Sequence, residues 1–140
     1  MDETSALTLR MLEEFDTVTV VGLSSDPIKS AHSVPAAMQA YGWRVIPVNP
    51  HADELLGEKV YRRLADIPEP VEFVNVFRPA ADAPDVVRQA VEVGAKAVWL
   101  QLGVVDAAAA ERARAVGLDV VMDTCPKIEW PRLRHEGMQR

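Results

Sequence analysis

The stretch Thr17-Val-Thr-Val-Val-Gly22 constrains the chain more than any other. Five consecutive β-branched residues suit a short buried strand. Gly22 follows at once, then small polar residues, then a helix-like run over Ser33–Tyr41. Strand, glycine turn and helix together point backbone N–H groups and a helix N-terminus at a phosphate. Gly22 lets the backbone turn tightly and come close to a ligand. Ser24, Ser25 and Ser30 offer hydroxyls, and Lys29 offers a positive charge. The same stretch also suits a plain strand-to-helix turn with no ligand. It is not G-x-G-x-x-G, so alone it points only weakly to a dinucleotide.

The pattern then repeats. An amphipathic helix over Glu3 to Phe15 precedes the first strand, with Leu7, Met11, Leu12 and Phe15 on its apolar face. The helix after Gly22 begins between Ser30 and Ser33, and Pro35, tolerated in a first turn, favours the later start. Gly42 is placed as its C′ residue. Trp43–Asn49 reads as the second strand, with Pro47 marking its end or a sheet edge. Leu55–Tyr61 is an excursion with a short extended piece, and Leu64–Asp66 is one helical turn. Val71–Val76, Lys96–Leu100 and Leu118–Met122 are the remaining strands. The helices Ala80–Val93 and Asp106–Gly117 lie between them, the second capped by Asp106.

Five strands alternating with helices predict an α/β, Rossmann-like, doubly wound parallel sheet in a single domain. That domain spans residues 1–140, with an N-terminal helix over 1–15 and a charged tail over 130–140. Its 140 residues, 49% of them hydrophobic, suffice for one core. A formal net charge of -6 argues against nucleic acid or an anionic membrane as the main partner. One cysteine allows no internal disulfide, and no signal-peptide pattern or membrane-length apolar run appears. A cytoplasmic setting is expected.

Right-handed crossovers bring all five strand C-termini to one edge, where ligands of such folds sit. The loops gathered there are Gly22–Ser30, Val48–His51, Val76–Arg78, Gln101–Gly103 and Thr124–Lys127. An NAD site wants an acid at the end of the second strand, and this chain has Asn49-Pro50 there. Arg44, which could serve NADP, lies at the wrong end of that strand. The edge carries cations instead, namely Lys29, Arg78 and Lys127, which suit a ligand with several phosphates. No metal-ligand spacing appears. His32, His51 and His135 have no obvious relay partner, so no catalytic residue is assigned. Cys125 lies on the edge beside Lys127, either as a small core residue or as a thiol of moderate reactivity.

Together these loops resemble a known family. Val20-Val-Gly-Leu-Ser-Ser-Asp-Pro-Ile-Lys-Ser30, Val45-Ile-Pro-Val-Asn-Pro50, Val74-Asn-Val-Phe-Arg78, Val98-Trp-Leu-Gln-Leu-Gly103 and Asp123-Thr-Cys-Pro-Lys127 look like the small stand-alone CoA-binding proteins. These are related to the N-terminal CoA-binding domain of the succinyl-CoA synthetase α-subunit. The match runs from about Leu12 to Glu129. The resemblance implies a domain that holds coenzyme A. By analogy Gly22, Ser24, Lys29 and Ser30 take phosphates, and Asn49 and Pro50 flank the adenosine. Val76, Phe77 and Arg78 form a wall, and Gln101 and Gly103 meet the pantetheine arm. Leu23 and Ser25 of the glycine turn, with Cys125 and Pro126 of the last loop, complete the expected cofactor-binding set. The synthetase continues into a domain with a phosphorylated histidine that this chain does not encode, so ligase activity by the chain alone is not expected. The expected function is CoA or acyl-CoA binding without catalysis. The alternatives are an NAD(P)-dependent oxidoreductase and a subunit of an acyl-CoA synthetase assembled in trans.

Overall fold

The structure, a computed structural model, describes residues 3–100 and 107–122. Strand β1 (Thr17–Val21) is the hub. It pairs in parallel with β2 (Arg44–Val48) on one side and with β5 (Phe73–Val76) on the other. Strands β6 (Ala97–Leu100) and β7 (Asp119–Val121) extend the sheet in parallel beyond β5, giving the order β2-β1-β5-β6-β7. The direction of winding switches between β1 and β5. The doubly wound parallel sheet expected from the alternation is therefore the observed one.

Residue parity sorts the core. Val18, Val20, Phe73 and Trp99 point to one face, covered by Met11 and Leu12 of α1 (Glu3–Glu14), by Phe15 just after it, and by Met38 of α2 (Ser30–Ala40). Val21, Val74, Val76 and Val98 point to the other face. There they meet α3 (Ala83–Glu92) and α4 (Ala107–Ala115). Helix α3 buries Ala83, Val86, Val87 and Ala90, one stripe at 3–4-residue spacing. Helix α4 buries only alanines, Ala109, Ala110 and Ala113, which lets it lie close to the sheet.

Between β2 and β5 the chain makes no α-helix. A two-stranded hairpin, β3 (Glu54–Leu55) and β4 (Glu58–Lys59), and a 3₁₀ turn at Leu64–Asp66 take its place. Leu64, Ile67 and Val71 bury against the α3 side of the sheet in the helix's stead. Pro47 is held in β2, which is an edge strand, and its carbonyl accepts from Tyr61 N–H at 3.0 Å.

Two expectations need correction. The segment Ala80–Val93 is not one helix: a 3₁₀ turn over Ala80–Asp82 leads into α3 at Ala83, with Pro84 in its first turn. Helix α2 begins at Ser30, not later, so Pro35 lies in its second turn. The reason for that tolerance lies in the site.

Candidate functional site: the strand C-terminal edge

Three loops meet at the switch point. Gly22 N–H donates to Val48 carbonyl, and Phe77 N–H donates to Val21 carbonyl, both at 2.9 Å. Gly22 has φ +91°, and a Cβ there would stand 3.1 Å from Arg78 Cδ and 3.2 Å from the Phe77 carbonyl group. Glycine is therefore required twice over, by the backbone angle and by the neighbour. Asn49 stitches the next loop in place. Its Nδ2 donates to Leu23 carbonyl at 2.9 Å, and its Oδ1 accepts from His51 and Ala52 N–H at 2.7 and 2.9 Å. The Asn49 amide is thus spent on the protein's own backbone.

Pro35 explains how the phosphate loop is held. A residue with an N–H at this position would bond the Ala31 carbonyl one turn back. Proline cannot, and its ring crowds that carbonyl outward. Ser24 N–H takes the vacant acceptor at 3.0 Å. His32 Nδ1 lies 2.7 Å from Ser24 carbonyl, which can only accept, so Nδ1 carries the proton. Ser24 Oγ in turn accepts from Asp26 N–H at 3.0 Å. Ser24 is pinned on three sides. Pro35→Ala is expected to restore the helical bond to Ala31 and compete with Ser24. Hydrogen exchange at the Ser24 amide should quicken by at least about tenfold while global stability holds or rises; an unchanged Ser24 rate would refute the assignment.

Helix α2 opens without a side-chain cap, since Lys29 at its N-cap makes no capping bond. His32 and Ser33 N–H bond the Lys29 carbonyl, which leaves the Ser30 and Ala31 N–H groups at an exposed helix start of the kind that binds anions. Ser25, Lys29 and Ser30 are exposed at this rim, and Pro50 is exposed across from it. Leu23 and Val76 are fully buried, backbone included, and present no surface at the edge. Phe77 is half-buried and packs on the α1–α2 side of the core.

Between the loops lies a cavity of about 230 Å³, lined by Gly22, Asn49, Arg62, Arg78, Asp82 and Gln89 among others. It is smaller than the about 300 Å³ at which sites for drug-sized molecules begin, so a larger ligand must run out along the edge. Roomier hollows lie elsewhere. One is an apolar groove between α3 and α4, another an acidic hollow at the strand N-termini, but neither gathers the loops that follow the strands. Each charge in the cavity is already engaged. Arg62 donates to the Asn49 carbonyl and to Asp53 Oδ1, each at 2.9 Å, and also reaches the Ala52 carbonyl. Arg78 pairs with Asp82 at 2.8 Å. Asp85 is bound by Arg88 and by Gln89, and these bonds, Arg88's first, hold its carboxyl below the usual range.

Of the expected edge cations, Arg78 lines the cavity and Lys29 stands exposed at the start of α2, outside its lining; Lys127 lies outside the described residues, as do Gln101, Gly103, Cys125 and Pro126. Arg62 and Asp82 are site residues that the sequence reading missed. Arg62 follows the β3–β4 excursion, and only the Val48–Tyr61 bridge beside the sheet brings it to the edge. Arg44 stands at the start of β2 as expected, bound to Glu69, which holds its guanidinium pKa above the ordinary value. Among the described residues no group of three His, Cys, Asp or Glu could hold a metal, and no helix is long and apolar enough to cross a membrane.

A parallel sheet wound both ways, with an uncapped helix start and a glycine turn at its switch point, defines a Rossmann-like nucleotide-type binding domain. Residues 16–131 match the family model described as a CoA binding domain, and the chain belongs to that family. It is 39% identical over 118 residues to the uncharacterized protein YneT of Bacillus subtilis strain 168, covering 84% of this chain and 87% of YneT. It superposes on a hypothetical protein from Pyrococcus horikoshii OT3 with TM-score 0.88 and 32% identity, over 93% of this chain and 92% of that one. It also resembles part of a larger enzyme, the dinucleotide forming acetyl-coenzyme A synthetase 1 of Ca. Korarchaeum cryptofilum, solved with phosphate and ADP. That TM-score is 0.71 at 26% identity, over 82% of this chain but 27% of the synthetase.

Proposed function

We propose that the chain binds coenzyme A or an acyl-CoA along the strand C-terminal edge and performs no chemistry of its own. The observation that carries this reading is the uncapped start of α2 beside Lys29 and Gly22. In this reading the phosphates lie between that start and Arg78, and the rest of the cofactor runs out along the edge. The engaged state of Asn49 speaks against NAD, because no side-chain acceptor remains at the end of β2 for a ribose diol. A cytoplasmic location belongs to the same reading, supported by the single cysteine.

A second reading, that the chain completes an acyl-CoA synthetase in trans, is favoured by its likeness to one portion of a longer synthetase. Recovery of a stable partner subunit on tagged purification would support it.

Calorimetry with CoA, dephospho-CoA, NAD and NADP tests the first reading. CoA should bind at least about tenfold more tightly than NAD, roughly 1.4 kcal/mol. Lys29→Ala should weaken CoA by about 1.5–3 kcal/mol with unfolding almost untouched, because the residue is exposed and packs against little. NAD binding as well as CoA, or an affinity indifferent to Lys29, would overturn it.

A further inference from the structure

Arg78 reaches the cavity already carrying an anion supplied by the protein. Its Nη2 donates to Asp82 Oδ2 at 2.8 Å, with the two side chains 43% and 46% exposed. A pair this wet contributes about 0–1 kcal/mol, so the fold does not depend on it. Asp82 also stands at the N-cap of α3 and makes no side-chain capping bond there. Its backbone is helical at that position and Pro84 in the first turn carries no N–H, so the carboxylate takes no part in holding that helix end. Asp82 can therefore leave Arg78 for solvent without loss to the helix. The other charges lining the cavity are tied more than once: Arg62 to Asn49, Ala52 and Asp53 among others, and Asp85 to Arg88 and Gln89. The Arg78 stem passes so close to Gly22 that a Cβ there would stand 3.1 Å from its Cδ.

We propose that Asp82 is an internal competitor for the ligand's phosphate. At rest it holds Arg78; when a phosphate-bearing ligand arrives, Arg78 passes to the phosphate and the Asp82 carboxylate turns to solvent. The exchange rests on the proposed function only for the ligand's identity, since any phosphate ester on this edge would trade in the same way. Asp82 thereby sets affinity and favours strongly charged phosphates over singly charged anions, because a weak anion cannot displace it.

The test is a titration with inorganic pyrophosphate, followed at the ¹⁵N-labelled Arg78 guanidinium in wild type and in Asp82→Asn. The variant should reach half-saturation at about threefold to fivefold lower pyrophosphate. In an Arg78→Ala background, read at the Gly22 amide, Asp82→Asn should shift half-saturation by less than about twofold. Equal half-saturation in wild type and Asp82→Asn overturns the exchange, as does an Arg78 signal that ignores pyrophosphate in both. A full gain in the Arg78→Ala background also overturns it, since Asp82 would then act by general repulsion. A parallel CoA titration separates the two proposals. CoA failing to bind while pyrophosphate moves Arg78 as described would refute the CoA reading and leave the exchange standing.

Discussion

Phe73→Ala is expected to destabilise the fold by about 3–5 kcal/mol, the usual loss for a large aromatic removed from a packed core. Phe73 is the centre of an aromatic cluster on the α1–α2 face. Its ring stacks on Phe15 with centroids 5.3 Å apart and lies tilted against Trp43 and Trp99 at 5.9 and 6.3 Å. Those rings come from four separate places in the chain, so no single neighbour can collapse into the gap. Urea unfolding followed by tryptophan emission reads stability and cluster together, because Trp43 and Trp99, two of the three tryptophans, border the lost ring. A loss below about 1.5 kcal/mol would show that the cluster repacks and is not the centre of that face.

Gly22→Val should cost about 2–4 kcal/mol and abolish binding at the edge. Two effects add. The φ of +91° strains any L-residue, and a Cβ would press on the Phe77 carbonyl group at 3.2 Å. That backbone cannot yield freely, because Phe77 N–H is bonded to Val21 carbonyl across the switch point. Gly117 supplies the control. It has the same φ of +91° but open space where its Cβ would be. Gly117→Val should therefore show the strain alone, about 1–2 kcal/mol. Equal losses at the two sites in denaturant unfolding would mean that the contact with Phe77 and Arg78 carries no weight.

Much of this architecture is legible in the residues because local and global signals agree. Thr17–Val21 is β-branched throughout and is a buried strand. Gly42 follows the last turn of α2, where the helix was expected to stop. Pro47 belongs to an edge strand, as a residue without an N–H must. The failures occur where a distant group decides. Pro35 looks like a first-turn residue by any local rule, yet it sits in the second turn because Ser24 satisfies the carbonyl it leaves open. Asn49 gives no local sign that its amide ties Leu23, His51 and Ala52 together. Arg62 is one arginine in a charged excursion until the Val48–Tyr61 bridge fixes that excursion beside the sheet. Asp82 reads as one acid within the expected helix, although Arg78 stands only four positions before it and pairs with it.

The packing of α1 bears on how the molecule comes into being. Helix α1 emerges first, yet its floor includes Trp99 and Val121, and Arg10 pairs with Asp119, 109 positions later. At about 5–20 residues per second, roughly 5–20 s of synthesis separate the helix from its last neighbours. Until β6 and β7 are made, Met11, Leu12 and Phe15 form an apolar stripe that the earlier strands cover only in part. The α3–α4 face grows from segments nearer in sequence and closes with shorter loops. Assembly on the ribosome is thus lopsided, with the earliest-made helix among the last elements to dock, and in the meantime that helix is the natural handle for a chaperone.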